Sequence, residues 1–469
     1  MTRPLSDTRD TRRIPLTRRR FVQAGAAAAL GAAMSDRVYG ANERIGVGVI
    51  GFGLVGREHV RNFHAQPDSR VVAVCDTYRP RMEAAAALTG GAAAPYADFR
   101  KLLDDKHVDA VVVAAPDHWH ALMTMMACAA GKDVYVEKPL TLFVREGRWM
   151  VEVARRYQRV VQVGTQQRSA PHFERAKRLI QDGRLGKIVH VQIDFWRNLM
   201  PGFGYPADQD PPAGLDWDMF LGPAPLRAYN PNRGIYHFRW CWDTAGGQMT
   251  NLGQHSLDTV HWALDLPPPT AVTSSGGRFF LKDNCETPDT QIAVIEYPGF
   301  NAVCQWQECS AGAATTEMGA LGFFGSKGNL RLTRGSLKLT PDRKHNPTNV
   351  VAQIMGPHPP GGPQMVPEPL AYWGEPAQDD GADGGNQYVL HARNFLDCIR
   401  SRKEPNSDVE RGHRVATVCH LANISLRTGR KIRWDGEKEE ILDDPQAAAM
   451  LVRPYRKPWD AVLRALGVV

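Results

Sequence analysis

Ile45-Gly46-Val47-Gly48-Val49-Ile50-Gly51-Phe52-Gly53-Leu54-Val55-Gly56 decides the fold. Six apolar or glycine residues read as a buried strand. The next six form the turn and opening of a helix in a G-x-G-x-x-G arrangement. With 43 glycines in 469 residues, a bare match arises by chance roughly 0.4 times, so its surroundings must carry the reading. They do: a second apolar run, Val71-Val72-Ala73-Val74-Cys75, closes on Asp76. The glycines supply a tight turn, close backbone approach to a pyrophosphate and close packing of helix on strand, with the phosphates at the positive helix N-terminus. Asp76 accepts hydrogen bonds from the ribose hydroxyls. The cofactor expected is NAD, with NADP as the alternative because Arg79 and Arg81 follow closely. Leu54 and Val55 lie in the same turn, and Phe52 is taken with it.

Downstream, Val108 to Ala114 and Val134 to Val136 are further apolar runs, separated by helical segments near Pro80 to Leu88 and Ala121 to Ala130. A helix over Arg145 to Tyr157 and a strand over Val160 to Val163 follow. This alternation predicts a doubly wound parallel sheet over residues 42–165. Beyond it, alternating segments at Ile188 to Phe195, Gln291 to Tyr297, Ala302 to Glu308, Leu321 to Phe324 and Leu330 to Thr333 predict an open, mainly antiparallel sheet over 166–386. That second domain would serve substrate binding and homo-oligomer assembly. The Pro/Gly-rich stretch Asn346 to Gly385 is expected as surface loop. Residues 387–469 are expected as a helical region packing back near the first domain.

Ahead of the strand stands Thr17-Arg18-Arg19-Arg20-Phe21-Val22-Gln23, followed by the weakly apolar Ala24 to Ala33. It reads as a twin-arginine export signal over 1–41, too short in its apolar part to span a bilayer. The export machinery would be one partner and the periplasm, or another exported location, the destination. Removing residues 1–35 takes away seven arginines and two aspartates, and the formal charge falls from +7 to +2. The basic excess therefore belongs to the address, and argues for neither nucleic acid nor a membrane as partner of the mature chain. The eight cysteines are scattered without metal-ligand spacing, so buried thiols are expected and no metal site.

Three later elements carry chemistry. Ala114-Ala115-Pro116-Asp117-His118-Trp119-His120 sits where doubly wound sheets place ligands. Glu137-Lys138-Pro139 closes another apolar run. In Gly246-Gly247-Gln248-Met249-Thr250-Asn251-Leu252-Gly253-Gln254-His255-Ser256-Leu257-Asp258, a continuous helix would put Asn251, His255 and Asp258 on one face. Ala115, Pro116, His120 and Glu137 are expected beside the cofactor. Arg168, Trp240 and Asp258 are expected to reach substrate.

These motifs, with Asp216-Trp217-Asp218-Met219-Phe220-Leu221-Gly222-Pro223 and Phe323-Phe324-Gly325-Ser326-Lys327-Gly328 in order behind them, resemble those of the Gfo/Idh/MocA oxidoreductases almost end to end. The resemblance implies NAD(P)-linked oxidation or reduction of a CH–OH group of a sugar, sugar derivative or cyclitol. It assigns Lys138 to the reacting oxygen and His255 to the hydroxyl proton, tasks that need a cation and a base near the working pH. Family members often carry Asp where this chain has Asn251, and an amide can orient His255 without neutralising it. Export adds a constraint, because an extracytoplasmic enzyme has no dependable pool of free NAD(H). The cofactor would be bound tightly and recycled internally. The alternative is an NAD-dependent glycoside hydrolase or lyase working by oxidation, elimination and reduction, and a third reading is a catalytically silent nucleotide-binding sensor.

Overall fold

Short runs of Val, Ile and Ala with little polar interruption form strands when both faces of the sheet are covered. In the computed structural model, which describes residues 44–310, 320–344, 371–379 and 385–469, the first six strands follow that rule. They are β1 (Ile45–Ile50), β2 (Ser69–Cys75), β3 (Ala94–Tyr96), β4 (Ala110–Val113), β5 (Asp133–Val136) and β6 (Val161–Val163). β1, β4, β5 and β6 are buried along their whole length. All pair in parallel, in the order β3-β2-β1-β4-β5-β6. The order reverses between β1 and β4, so the crevice for a ligand opens above their C-terminal ends. The expected signal over 1–41 lies outside the described residues.

Ten further strands make the second sheet: β7 (Ile188–Trp196), β8 (Ala271–Gly277), β9 (Thr290–Tyr297), β10 (Phe300–Gln307), β11 (Ala320–Gly325), β12 (Gly328–Leu332), β13 (Leu337–Pro341), β14 (Ala377–Asp379), β15 (Ile432–Asp435) and β16 (Glu440–Leu442). Their order is β14-β13-β12-β11-β7-β10-β9-β8-β15-β16, antiparallel except for the pair β7/β10. Burial alternates along β7, β12 and β13, as for strands with one face on a core. The buried face, including Ile193, Phe195, Ile295, Trp306 and Phe323, packs on Phe173 and Ile180, Leu257 and Val260, and Val418 and Leu421 of three helices. These are Pro171–Gln181, Gly253–Leu264 and Val409–Thr428. Burying a large side chain in such a layer contributes about 1.5–3 kcal/mol.

Two expectations need correction. β14 lies inside the stretch read as surface loop, where it pairs with β13 through Leu337, Lys338 and Leu339; three residues are too few to show a period. The C-terminal region is also not purely helical, since β15 continues the second sheet past β8 and β16 closes it as a hairpin. Its helix Gln387–Ser401 does reach the first sheet: Phe395 packs edge-on against Phe63 and Tyr135, and Arg393 and Arg400 bind Asp68 just before β2. Burial works to raise the Asp68 carboxyl, but the two guanidinium groups outweigh it and hold it low. All eight cysteines are free thiols, buried except for the half-buried Cys309. No helix among the described residues is long and apolar enough to cross a membrane.

Candidate active site

The glycine turn works through sterics. Gly51 has φ +93°, and a Cβ there would lie 2.5 Å from the Ala114 carbonyl oxygen, so β1 and β4 can approach only with glycine. A Cβ on Gly56 would lie 2.0 Å from the Gly51 oxygen, which lets the helix Leu54–His64 sit directly on the turn. A Cβ on Gly53 would meet nothing nearer than an Arg81 nitrogen at 4.0 Å. Gly53 thus leaves open space where a dinucleotide backbone would pass, and the turn fits that cofactor. Beside it Asp76 accepts from the Phe52 amide at 2.7 Å and the Tyr78 amide at 2.8 Å, which fixes its carboxylate on the cleft wall. Burial pushes this carboxyl up, while the two amides and Arg81 pull the other way.

The cleft above β1 and β4 encloses about 1120 Å³, open mouth included. All but two of the expected cofactor residues line it. Phe52 and Gly56 do not: the Phe52 ring is buried in the first core and its amide holds Asp76, while Gly56 packs helix on turn. His120 places Nδ1 2.6 Å from the Pro139 carbonyl and Nε2 2.8 Å from the Ala115 carbonyl, stapling the loops after β4 and β5 together. His118 is spent on the Phe220 carbonyl at 2.9 Å, and burial lowers its pKa to about 3. Among the described residues no cluster of His, Cys, Asp and Glu is placed to hold a metal ion.

Lys138 follows β5 and lines the same cleft. Its backbone is held through Glu137, whose Oε1 lies 2.7 Å from His59 Nε2 and whose Oε2 accepts from the Lys138 amide at 3.2 Å. Burial favours a protonated Glu137, yet the contact with His59 prevails and keeps its carboxyl low. The Lys138 ammonium donates to the backbone oxygen of Asn251 at 2.9 Å and to its Oδ1 at 3.0 Å. Burial lowers the Lys138 pKa to about 8; the charges of Arg239 and Arg334 work with it, those of Glu137 and Asp117 against it.

The helix Gly247–Asn251 passes through Leu252, which keeps right-handed helical angles (φ −105°, ψ −29°), to a second helix from Gly253 to Leu264. Asn251 turns to Lys138 and Gln248, donating to Gln248 Oε1 at 3.1 Å. Among the described residues His255 Nδ1 is buried without a hydrogen-bond partner. Burial, with Lys138 adding to it, lowers the imidazole well below its ordinary value, so His255 is neutral at working pH. Asp258 is paired with Arg168 at 2.7 and 2.8 Å, both side chains being at most 2% exposed. That pair removes both residues from the expected substrate contacts. Trp240 is also withdrawn: it is buried, and its indole N–H donates to Glu308 Oε2 at 2.8 Å. Asn251, Asp258 and Trp240 each meet a partner 68 to 113 positions away, a separation no local pattern reveals.

Sequence reading also missed four residues. His59 supports Glu137, whereas Asp117, Tyr236 and Arg239 line the cleft. The available signal was Tyr236-His237-Phe238-Arg239-Trp240, a cation set among aromatic residues in otherwise irregular chain.

Comparison with known proteins places this geometry. The profile of the Gfo/Idh/MocA oxidoreductase family's NAD-binding Rossmann fold matches residues 45–165. The profile of its C-terminal alpha/beta domain matches 170–303 and 387–461. Two relatives from Saccharopolyspora erythraea are inositol 2-dehydrogenase 2, 39% identical over 252 residues, and inositol 2-dehydrogenase 1, 40% identical over 148 residues. These matches take in 53% and 31% of this chain, and only 62% and 44% of the relatives' own length. The WlbA dehydrogenase of Bordetella pertussis, solved with NADH and UDP-GlcNAcA, shares the fold with a TM-score of 0.60 at 19% identity, over 84% of this chain and 99% of its own. Levoglucosan dehydrogenase, solved with NADH and levoglucosan, does so with 0.63 at 16%, over 83% and 99%. With one profile lying on the parallel sheet and its cleft and the other on the sheet behind, the chain belongs to the Gfo/Idh/MocA oxidoreductase family.

Proposed function

We propose that this chain is an NAD-linked oxidoreductase acting on a CH–OH group of a sugar or cyclitol, with Lys138 as the catalytic residue on the reacting oxygen. The observation that carries the reading is the Lys138 ammonium, aimed into the cleft by Asn251 and brought to a pKa of about 8. Bound NAD supplies the two-electron acceptor. The chain supplies the rest. An alcohol is far too weak an acid to ionise at neutral pH, so a base must take its proton as charge builds on oxygen. A lysine whose pKa lies near the working pH can take that proton and then, as the ammonium, donate a hydrogen bond to the new carbonyl. Asn251 fixes the direction of Nζ.

Asn251→Asp tests this arrangement. It places an anion beside Nζ, where the Asn251 oxygen now sits at 3.0 Å, and a carboxylate so near favours the protonated amine. The Lys138 pKa then rises, and a higher pH is needed to populate the neutral base. The acidic limb of the pH–rate profile for oxidation is expected to move up by about 1 pH unit. An acidic limb that stays in place in the folded, cofactor-loaded variant argues against Lys138 as the titrating base.

Cofactor choice follows from Asp76, whose carboxylate suits ribose hydroxyls and repels an added phosphate. Titration of the apoprotein should therefore give tighter binding of NAD than of NADP. Equal affinity removes Asp76 from this role. We also keep the twin-arginine leader and a retained, internally recycled cofactor as part of the proposal. NAD should then survive purification and dialysis at near one per chain. A protein that purifies empty contradicts the closed cycle.

A further inference from the structure

Other arginines with little exposure spend their charge on carboxylates: Arg168 on Asp258, Arg197 on Glu308, Arg278 on Asp283. Arg239 does not. Among the described residues its one hydrogen bond runs to the Tyr236 carbonyl at 2.9 Å, and no carboxylate lies within ion-pair distance. Its guanidinium instead rests against two rings, with centroids 4.7 Å away at Tyr236 and 4.5 Å away at Phe238. Aromatic faces hold a guanidinium in place while leaving its edge donors free. Arg239, Tyr236 and Phe238 line the cleft that holds Lys138 and Asn251.

Arg239 is half-buried, and burial works against its charged form. Among the described residues the main opposing charge felt by Arg239 is that of Asp117, which lines the cleft but forms no ion pair with it. The phosphates of the cofactor belong at the Gly51–Gly53 turn and helix N-terminus, and saturating that site with NAD leaves a substrate anion as the group to be tested against Arg239. Arg239 lines the same cleft as that turn and Lys138, and its charge reaches both Lys138 and Arg81.

We infer that the substrate is an anionic sugar, bearing a carboxylate or a phosphate that Arg239 binds through its free edge while Lys138 meets the reacting hydroxyl. The inference rests on the oxidoreductase reading above for its second half only; recognition of the anion stands on Arg239. It makes Arg239 a specificity-determining residue that distinguishes a sugar acid from the neutral sugar of the same ring.

The test uses full-length protein saturated with NAD, so that the dinucleotide site cannot capture the probe. Calorimetric titration compares glucuronate and galacturonate, and glucose 6-phosphate and galactose 6-phosphate, with their parent hexoses. At least one anionic probe is expected to bind about tenfold or more tighter than its parent, as one charge-assisted hydrogen bond allows. Which arm wins separates carboxylate from phosphate. Arg239→Gln keeps a flat side chain against the rings and should weaken the preferred anion about twentyfold while weakening its parent far less. Arg239→Lys should restore part of the preference. NAD content and the unfolding midpoint show that the variants are folded. Equal binding of every anion and its parent, no binding by any anion, or a preference that survives Arg239→Gln overturns the inference. Nicotinamide absorbance recorded on the same mixtures separates the two claims. Anion preference without reduction of NAD leaves Arg239 in its role and sinks the oxidoreductase reading. Reduction by neutral sugars in preference to acids does the reverse.

Discussion

Lys138→Ala is expected to lower turnover by about 10²–10⁴ while leaving the fold and the bound NAD in place. The loop that presents Lys138 is fixed by other groups. Glu137 is held by His59, and the Pro139 carbonyl by His120, and neither contact uses the lysine side chain. Truncation frees the Asn251 oxygens toward a cleft that admits water, so no buried acceptor is stranded. What disappears is the proton acceptor on the reacting oxygen, a contact that matters most as charge develops there. The loss should therefore appear in kcat, with KM changed little. Steady-state kinetics on cofactor-loaded protein checks it, and a loss confined to KM would show a binding role instead.

Asp258→Ala should cause the largest loss of stability, about 3–5 kcal/mol in urea unfolding. The Arg168 side chain is 2% exposed, and without Asp258 it keeps one hydrogen bond, to the Asn406 carbonyl at 3.1 Å, and the Trp262 ring at 5.6 Å. A buried cation left so poorly satisfied is more costly than the intact pair is worth. Replacing both partners by apolar residues, as in Arg168→Met with Asp258→Leu, should be much milder than the single change. If single and double variants lose the same stability, the cost lies in packing and not in the stranded charge. The pair also ties the turn Gln166–Ser169 to the helix that starts two residues after Asn251. A weakened pair should therefore loosen the support behind Lys138 as well.

The first domain was legible because its signals are local. The turn at Gly51, the carboxylate at Asp76 and the apolar runs each depend on a few neighbouring residues, and the parallel, doubly wound arrangement followed from their alternation with helices. The second domain was legible in the long strands such as β7 and β9 and lost in β14 and β16, three residues each. The site was legible in its motifs but not in its contacts. Lys138, Asn251 and His255 stand out in the sequence; that Asn251 meets Lys138 across 113 positions does not. Arg168 and Asp258 carried the right charges for substrate, yet 90 intervening residues bring them together as a buried pair. Arg239 went unread because the chain from Trp196 to Gly246 has little regular structure to place it.

Absorbance of the reduced nicotinamide, followed on mixing NAD-loaded protein with a panel of sugars, sugar acids and cyclitols, tests the central claim most directly. The expected result is reduction by at least one member, with the rate falling by about a hundredfold or more in Lys138→Ala. No reduction by any member in wild-type protein that holds NAD, or reduction that persists undiminished without the Lys138 amine, would contradict it.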